Sequence, residues 1–103
     1  MKFVYIALGS NLGDRAENLR LAREQIESPD LHVLRESSIY ETAPRDVEDQ
    51  PWFLNQVIEC ETDLFPRQLL MRLQKIERGM GRKRRMAKGP GKSIWIFFYL
   101  ETS

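Results

Sequence analysis

Six cations fall close together near the end of this 103-residue chain: Arg82, Lys83, Arg84, Arg85, Lys88 and Lys92. No acid interrupts the stretch between Glu77 and Glu101. Residues 1–78 hold 10 basic and 14 acidic residues, a net of −4, whereas residues 79–103 hold 6 basic and 1 acidic, a net of +5. The formal charge of +1 therefore conceals a polarised molecule. Glycines at 79, 81, 89 and 91 interleave the cations and predict a flexible loop. Such a loop has the chemistry to neutralise a polyphosphate or a nucleic-acid backbone. A solvated charged loop is the plainer alternative. Gly91-Lys92-Ser93 superficially matches a phosphate-binding loop, but that motif needs a glycine where Met86 stands, and it opens a helix, whereas IWIFFY follows here.

Other reactive residue types are scarce. The single Cys60 excludes an internal disulfide, and with the single His32 it leaves no thiolate or imidazole cluster for a metal. Any metal falls to carboxylates or to a substrate's phosphates, which favours magnesium. Cys60 reads as core and His32 as a surface histidine on a strand edge. The apolar fraction of 42% and charged fraction of 30% are those of an ordinary globular chain. The N-terminal apolar run is too short for a transmembrane helix, and Gly9-Ser10-Asn11 stand where a signal peptide would still be apolar. A cytoplasmic chain with no membrane partner is the expectation.

The elements that position these residues follow from periodicity. Phe3–Leu8 is apolar on both alternating faces, as in a central strand covered on each side. Asp14 and Glu17 form a capping-box pattern, and Leu12, Ala16, Leu19, Ala22 and Ile26 predict a helix to about Ser28, stopped by Pro29. Residues 31–41 are β-rich, and residues 43–51 form a proline-bounded acidic loop. The strand predicted over 53–61 puts Phe53, Asn55 and Val57 on one face and Leu54, Ile58 and Cys60 on the other. A polar Asn55 beside an aromatic is unusual for pure core, although Trp52 and Phe53 are compatible with burial. Pro66 opens a second helix, with Leu69, Leu70, Leu73, Ile76 and Met80 as its stripe and Gly79 as its stop. Gln74 and Glu77 lie about one turn apart near its end; a surface pair is the plainer reading, and their position beside the basic loop makes them candidates to orient it. Ile94–Leu100 reads as a last strand. The order β-α-β-β-α-β is an α+β, ferredoxin-like arrangement with two helices on one face of an antiparallel sheet. The other face is left for a ligand, with Phe53 and Asn55 on it.

The blocks VYIALGSNLGDRAENL, SSIYETAP, DQPWFLN and TDLFPRQLLMRLQKIERGMGRKRRMAKGP together resemble the 6-hydroxymethyl-7,8-dihydropterin pyrophosphokinases of folate biosynthesis. The resemblance runs in unbroken order from residue 3 to residue 90. It implies a ferredoxin-like fold and transfer of a diphosphate from ATP to the pterin hydroxymethyl group, with Mg2+ as cofactor. It assigns Thr42, Ala43 and Arg45 to a loop closing over the pterin, Phe53 to stacking on its ring, and Asn55 to its polar edge. Gln74 and Glu77 lie near the nucleotide under this reading. Arg82, taken as catalytic, and Arg84, Arg85 and Lys88 belong to the loop that closes over the triphosphate. Charge neutralisation and exclusion of water are what such a transfer needs.

After Pro90 the resemblance breaks. The family pattern continues with an arginine and an Asp-x-Asp that holds magnesium, whereas this chain has GKSIWIFFYLETS and neither aspartate. Loss of one base near the Pro90–Gly91 junction accounts for the change. In the other frame each codon takes the last base of one codon and the first two of the next. Trp95 is TGG and Ile96 begins AT, so that junction encodes aspartate; the Phe98–Tyr99 junction must encode leucine. One permitted set of the remaining choices restores Arg-Lys-Ile-Asp-Leu-Asp-Ile-Leu in register.

The expectation is thus a pyrophosphokinase core over 1–90 and a frameshifted, truncated tail over 91–103. A variant tail that still supplies the last strand is the rival. Without the aspartates the chain is expected to lack transfer activity, with weak pterin or nucleotide binding remaining. Its partners by resemblance are ATP and the dihydropterin, not nucleic acid, and it is taken as a monomer. The alternatives are a ferredoxin-like nucleic-acid module using the basic loop 82–92, although no RNP-type aromatic motif is present, or a non-catalytic remnant. IWIFFYL, if left unpaired, is an aggregation-prone segment.

Overall fold

A computed structural model describes residues 2–43, 51–83 and 94–100, with only the backbone for residues 82 and 83. Their order is β1 (Lys2–Ser10), α1 (Arg15–Ile26), β2 (Leu31–Glu36), β3 (Tyr40–Thr42), β4 (Phe53–Thr62), α2 (Pro66–Lys83) and β5 (Trp95–Leu100). The sheet runs β2-β4-β1-β5 with every pair antiparallel, and β3 pairs with β4 beyond the end of β2. This is the ferredoxin-like α+β arrangement expected from the element order, with the second strand broken in two. The break has a local cause. A register shift falls between Val33 and Arg35, and Ser37 then bonds to Val57 through both its backbone N–H and its hydroxyl. Regular pairing resumes only at Tyr40.

Alternation divides the sheet cleanly. Val4, Ile6 and Leu8 of β1, Ile58 and Cys60 of β4 and Ile96 of β5 face the helices. They meet Leu19, Ala22 and Ile26 of α1 and Leu69, Leu73, Ile76 and Met80 of α2 in one core. β1 is central as expected, but among the described residues elements cover only one of its faces. On the other, Phe3 is 45% exposed and Tyr5 and Ala7 are half-buried. Burial of Cys60 pushes its thiol up to about 12, which fits a packing role and not a nucleophile.

Helix ends depart from expectation in opposite directions. The Asp14 carboxylate accepts from the Glu17 N–H, as an N-cap should, while Arg20 grips the Glu17 carboxylate from the next turn. α1 stops at Ile26, short of Ser28, because Ser28 and Leu31 exchange backbone hydrogen bonds across Pro29. The residue before a proline also disfavours helix. α2, by contrast, passes through Gly79 and Gly81 to Lys83, so neither glycine belongs to a loop. Met80, 4% exposed, extends the apolar stripe by a turn, and its burial outweighs the ~1 kcal/mol that each glycine costs a helix.

Candidate functional site

The open face of the sheet carries the odd-numbered residues of β1, β4 and β5. The register sets them in rows: Asn55, Gly9 and Trp95 in one, Val57, Ala7 and Phe97 in the next, then Glu59, Tyr5 and Tyr99. In the first two rows β1 contributes only a hydrogen and a methyl group, so the flanking strands stand as walls over a low floor. The result is a cleft of about 210 Å³ lined by Ala7, Leu8, Gly9, Phe53, Asn55, Trp95 and Phe97. Pockets for drug-sized ligands run to roughly 300–1,000 Å³, so this one suits a single small ring system.

Each wall is held. The Phe53 and Trp95 rings meet edge to face, with centroids 5.1 Å apart and planes at 67°. Asn55 Nδ2 donates to Thr42 Oγ1 at 2.8 Å, which fixes the amide against β3. Its Oδ1 lies toward Gly9, only 3.3 Å from where a β-carbon would stand. The acceptor end of the amide thus faces the cleft, ready for a ligand N–H. Arg15 Nη1 donates to Glu41 Oε2 and to the Trp52 carbonyl, both at 2.8 Å, tying the start of α1 to β3 and to the entry of β4. Behind the sheet, Arg23 donates to Gln56 Oε1 at 2.6 Å, and Gln56 Nε2 to the Ser37 carbonyl at 2.7 Å. The break between β2 and β3 is thereby anchored to α1.

Of the residues expected at a site, Thr42, Phe53 and Asn55 come together, and Ala43 directly follows β3. Trp52 is exposed and Phe53 half-buried, so neither is core. Gln74 and Glu77 lie on α2, across the sheet from the cleft. Gln74 is exposed, in a shallow groove with Met71 and Arg78. Glu77 reaches the sheet edge, where its Oε1 accepts from the Ile96 N–H at 3.0 Å. Arg45, Arg84, Arg85 and Lys88 lie outside the described residues, as does the side chain of Arg82. His32 is a surface residue beside Glu27, as expected. Gly9, Trp95 and Phe97 were not anticipated. The alternation of β1 and β5 carried the signal, but it became readable only through the pairing that sets those strands side by side.

A family model for 7,8-dihydro-6-hydroxymethylpterin-pyrophosphokinase matches residues 5–93. The chain belongs to this family. It is 46% identical over 97 residues to the mitochondrial folate synthesis bifunctional protein of Pisum sativum, covering 93% of this chain and 19% of that one. The 2-amino-4-hydroxy-6-hydroxymethyldihydropteridine pyrophosphokinase of Bacillus subtilis is 47% identical over 87 residues, covering 84% and 52%. Its counterpart in Aquifex aeolicus is 40% identical over 90 residues, covering 87% and 56%. This chain therefore spans about half the length of the single-function bacterial pyrophosphokinases it matches.

Among the described residues, the donors at the cleft do not fit the magnesium that the pyrophosphokinase family implies. Mg2+ demands hard oxygen ligands in octahedral geometry. The β5 residues facing the cleft are Trp95 and Phe97, which offer none, and Glu77 has one oxygen on the Ile96 amide. Among the described residues no three of His, Cys, Asp or Glu gather in a way that suits a metal. None of the described helices is long and apolar enough to cross a membrane.

Proposed function

We propose that this chain carries the pterin-binding part of a dihydropterin pyrophosphokinase and, with the sequence it has, does not transfer diphosphate. The observation that carries this reading is the cleft over Gly9, where Phe53 supplies an aromatic wall and Asn55 an acceptor held in place by Thr42. A 2-amino-4-oxo pterin ring matches it in size and in the N–H donors along its edge. In this reading Thr42, Ala43, Arg45, Phe53 and Asn55 hold the pterin. Gln74, Glu77, Arg82, Arg84, Arg85 and Lys88 belong to the ATP side. The cations neutralise phosphate charge, but transfer also needs a metal-bound triphosphate in a fixed place, and Trp95 and Phe97 offer it no ligands.

The tail from residue 91 is read as the product of a shifted frame. The forced aspartate and leucine codons in the alternative frame support this. The protein is taken as a cytoplasmic monomer. The decisive assay mixes the chain with ATP, Mg2+ and 6-hydroxymethyl-7,8-dihydropterin and measures AMP. No AMP above the background of ATP hydrolysis is expected, and pterin-dependent AMP release overturns the reading. Sequencing the encoding DNA tests the frame separately: a single-base correction should restore Asp-x-Asp and a longer frame.

A further inference from the structure

We infer that Trp95 makes the cleft of this chain a metal-independent receptacle for a planar heteroaromatic amide, serving as a binding wall that determines what the cleft accepts. The inference rests on the proposed pterin reading and goes beyond it by placing affinity on β5, in the tail that departs from the family pattern. The register aligns Trp95 with Gly9 and Asn55, so the indole stands directly across the glycine floor from the amide. Its ring meets Phe53 edge to face at 5.1 Å, closing one end of the cleft, and Phe97 continues the same wall. Position 95 is fixed from behind. Ile96 is 9% exposed in the core, and its N–H is held by Glu77 of α2 at 3.0 Å. Neighbouring residues of a strand point to opposite faces, so burying Ile96 commits Trp95 to the cleft.

The chemistry of this wall differs in kind from that of a carboxylate. An indole gives dispersion and a quadrupole to an electron-poor ring, and it neither needs nor recruits a cation. A ligand here gains its contacts from Phe53, Trp95 and Phe97 and its orientation from Asn55 Oδ1. The three aromatic rings offer Mg2+ no ligand atom, and the single Asn55 amide oxygen cannot by itself make up the octahedral oxygen set that Mg2+ demands. Binding should therefore be indifferent to the metal.

Fluorescence titration of the full chain with 6-hydroxymethylpterin, in EDTA and in excess MgCl2, tests the inference. The two dissociation constants should agree within about twofold. Trp95→Leu, which keeps an apolar side chain but removes the planar ring, should weaken binding by about tenfold, while Trp95→Phe stays within about threefold. Circular dichroism and thermal melting of both variants report whether β5 is still formed. A variant that fails to fold is replaced in the comparison by quenching of Trp95 emission on ligand addition, measured in a Trp52→Phe background. Quenching that saturates with the ligand supports the inference, and its absence while ligand binds opposes it. Binding that requires Mg2+, or that ignores Trp95→Leu in a folded protein, overturns this inference alone. Absence of pterin binding by the unmodified chain overturns the pterin reading and this inference together.

Discussion

β1, β4 and β5 keep one register from end to end, yet the two ends of the open face they form have become different surfaces. At one end β1 presents Gly9 and Ala7, and the walls from β4 and β5 enclose a cleft. At the other it presents Tyr5 and Phe3, and what remains beside them is an open depression bounded by Tyr5, Arg35, Val57 and Glu59. Tyr5 stacks on Tyr99 with centroids 5.6 Å apart, and its hydroxyl donates to Glu59 Oε2 at 2.9 Å. Arg35 Nε donates to Glu59 Oε1, also at 2.9 Å, completing a small polar cap on that end. β4 and β5 bring aromatic, amide or carboxylate groups to both ends. What separates the aromatic cleft from the polar end here is side-chain size on the central strand.

Three substitutions break or sharpen that comparison. Gly9→Val gives the cleft end a large β1 side chain, as the polar end has. An added β-carbon already stands 3.3 Å from Asn55 Oδ1 and 3.7 Å from Phe53 Cδ1, and the γ-methyls occupy the ligand's place. Affinity for 6-hydroxymethylpterin should fall by about a hundredfold, on the order of the 1–3 kcal/mol of an overpacked site, with the circular dichroism of the fold retained. Titration by fluorescence checks it, and unchanged binding would move the site elsewhere.

Asn55→Ala leaves the floor open but removes the acceptor and the link to Thr42. A loss of about tenfold in affinity is expected, in line with ~1–3 kcal/mol for an unmet buried hydrogen bond. If affinity holds, the cleft recognises ring shape alone.

Glu59→Gln tests the polar end, where the smallest change is expected. Arg35, and then the Tyr5 hydroxyl, hold the Glu59 carboxyl below its ordinary value of 4.5. A carboxyl lowered by folding stabilises the fold above its unfolded pKa, and that contribution disappears as pH falls through the folded value. Thermal melts of the unmodified chain should therefore lose stability on acidification below about 4.5, the ordinary value for Glu59. Glu59→Gln should flatten part of that loss. The rest remains, because Glu27, bonded to the Val33 N–H, and Asp30, clamped by Arg72, are lowered too. Pterin affinity should stay within about twofold, since Glu59 lies outside the cleft.

Much of this was legible in the chain itself. Strand alternation placed Phe53 and Asn55 together on the open face because side-chain direction is a local property of an extended backbone. The cap at Asp14 and the element order leading to the fold were local as well. The misreadings came where local preference met a tertiary opportunity. Gly79 looks like a helix stop until Met80 finds a place in the core, and β1 looks covered on both faces until Tyr5 finds Glu59 and Tyr99. Alternation predicts which residues of β5 share a face, but it cannot name the residues on the neighbouring strand.

By itself, then, the sequence determined the ferredoxin-like order of elements, the membership of the buried and open faces on β4, the polarity of charge along the chain and its pyrophosphokinase family. Tertiary structure alone decided that Trp95 stands opposite Asn55 across Gly9, that Phe97 follows in the next row, and that Glu77 turns to the edge of β5. The physical reason is range. Alternation, capping and charge are written within a few residues of one another, whereas a cleft floor and its walls come from strands joined only by register, and register is set by the core they bury together.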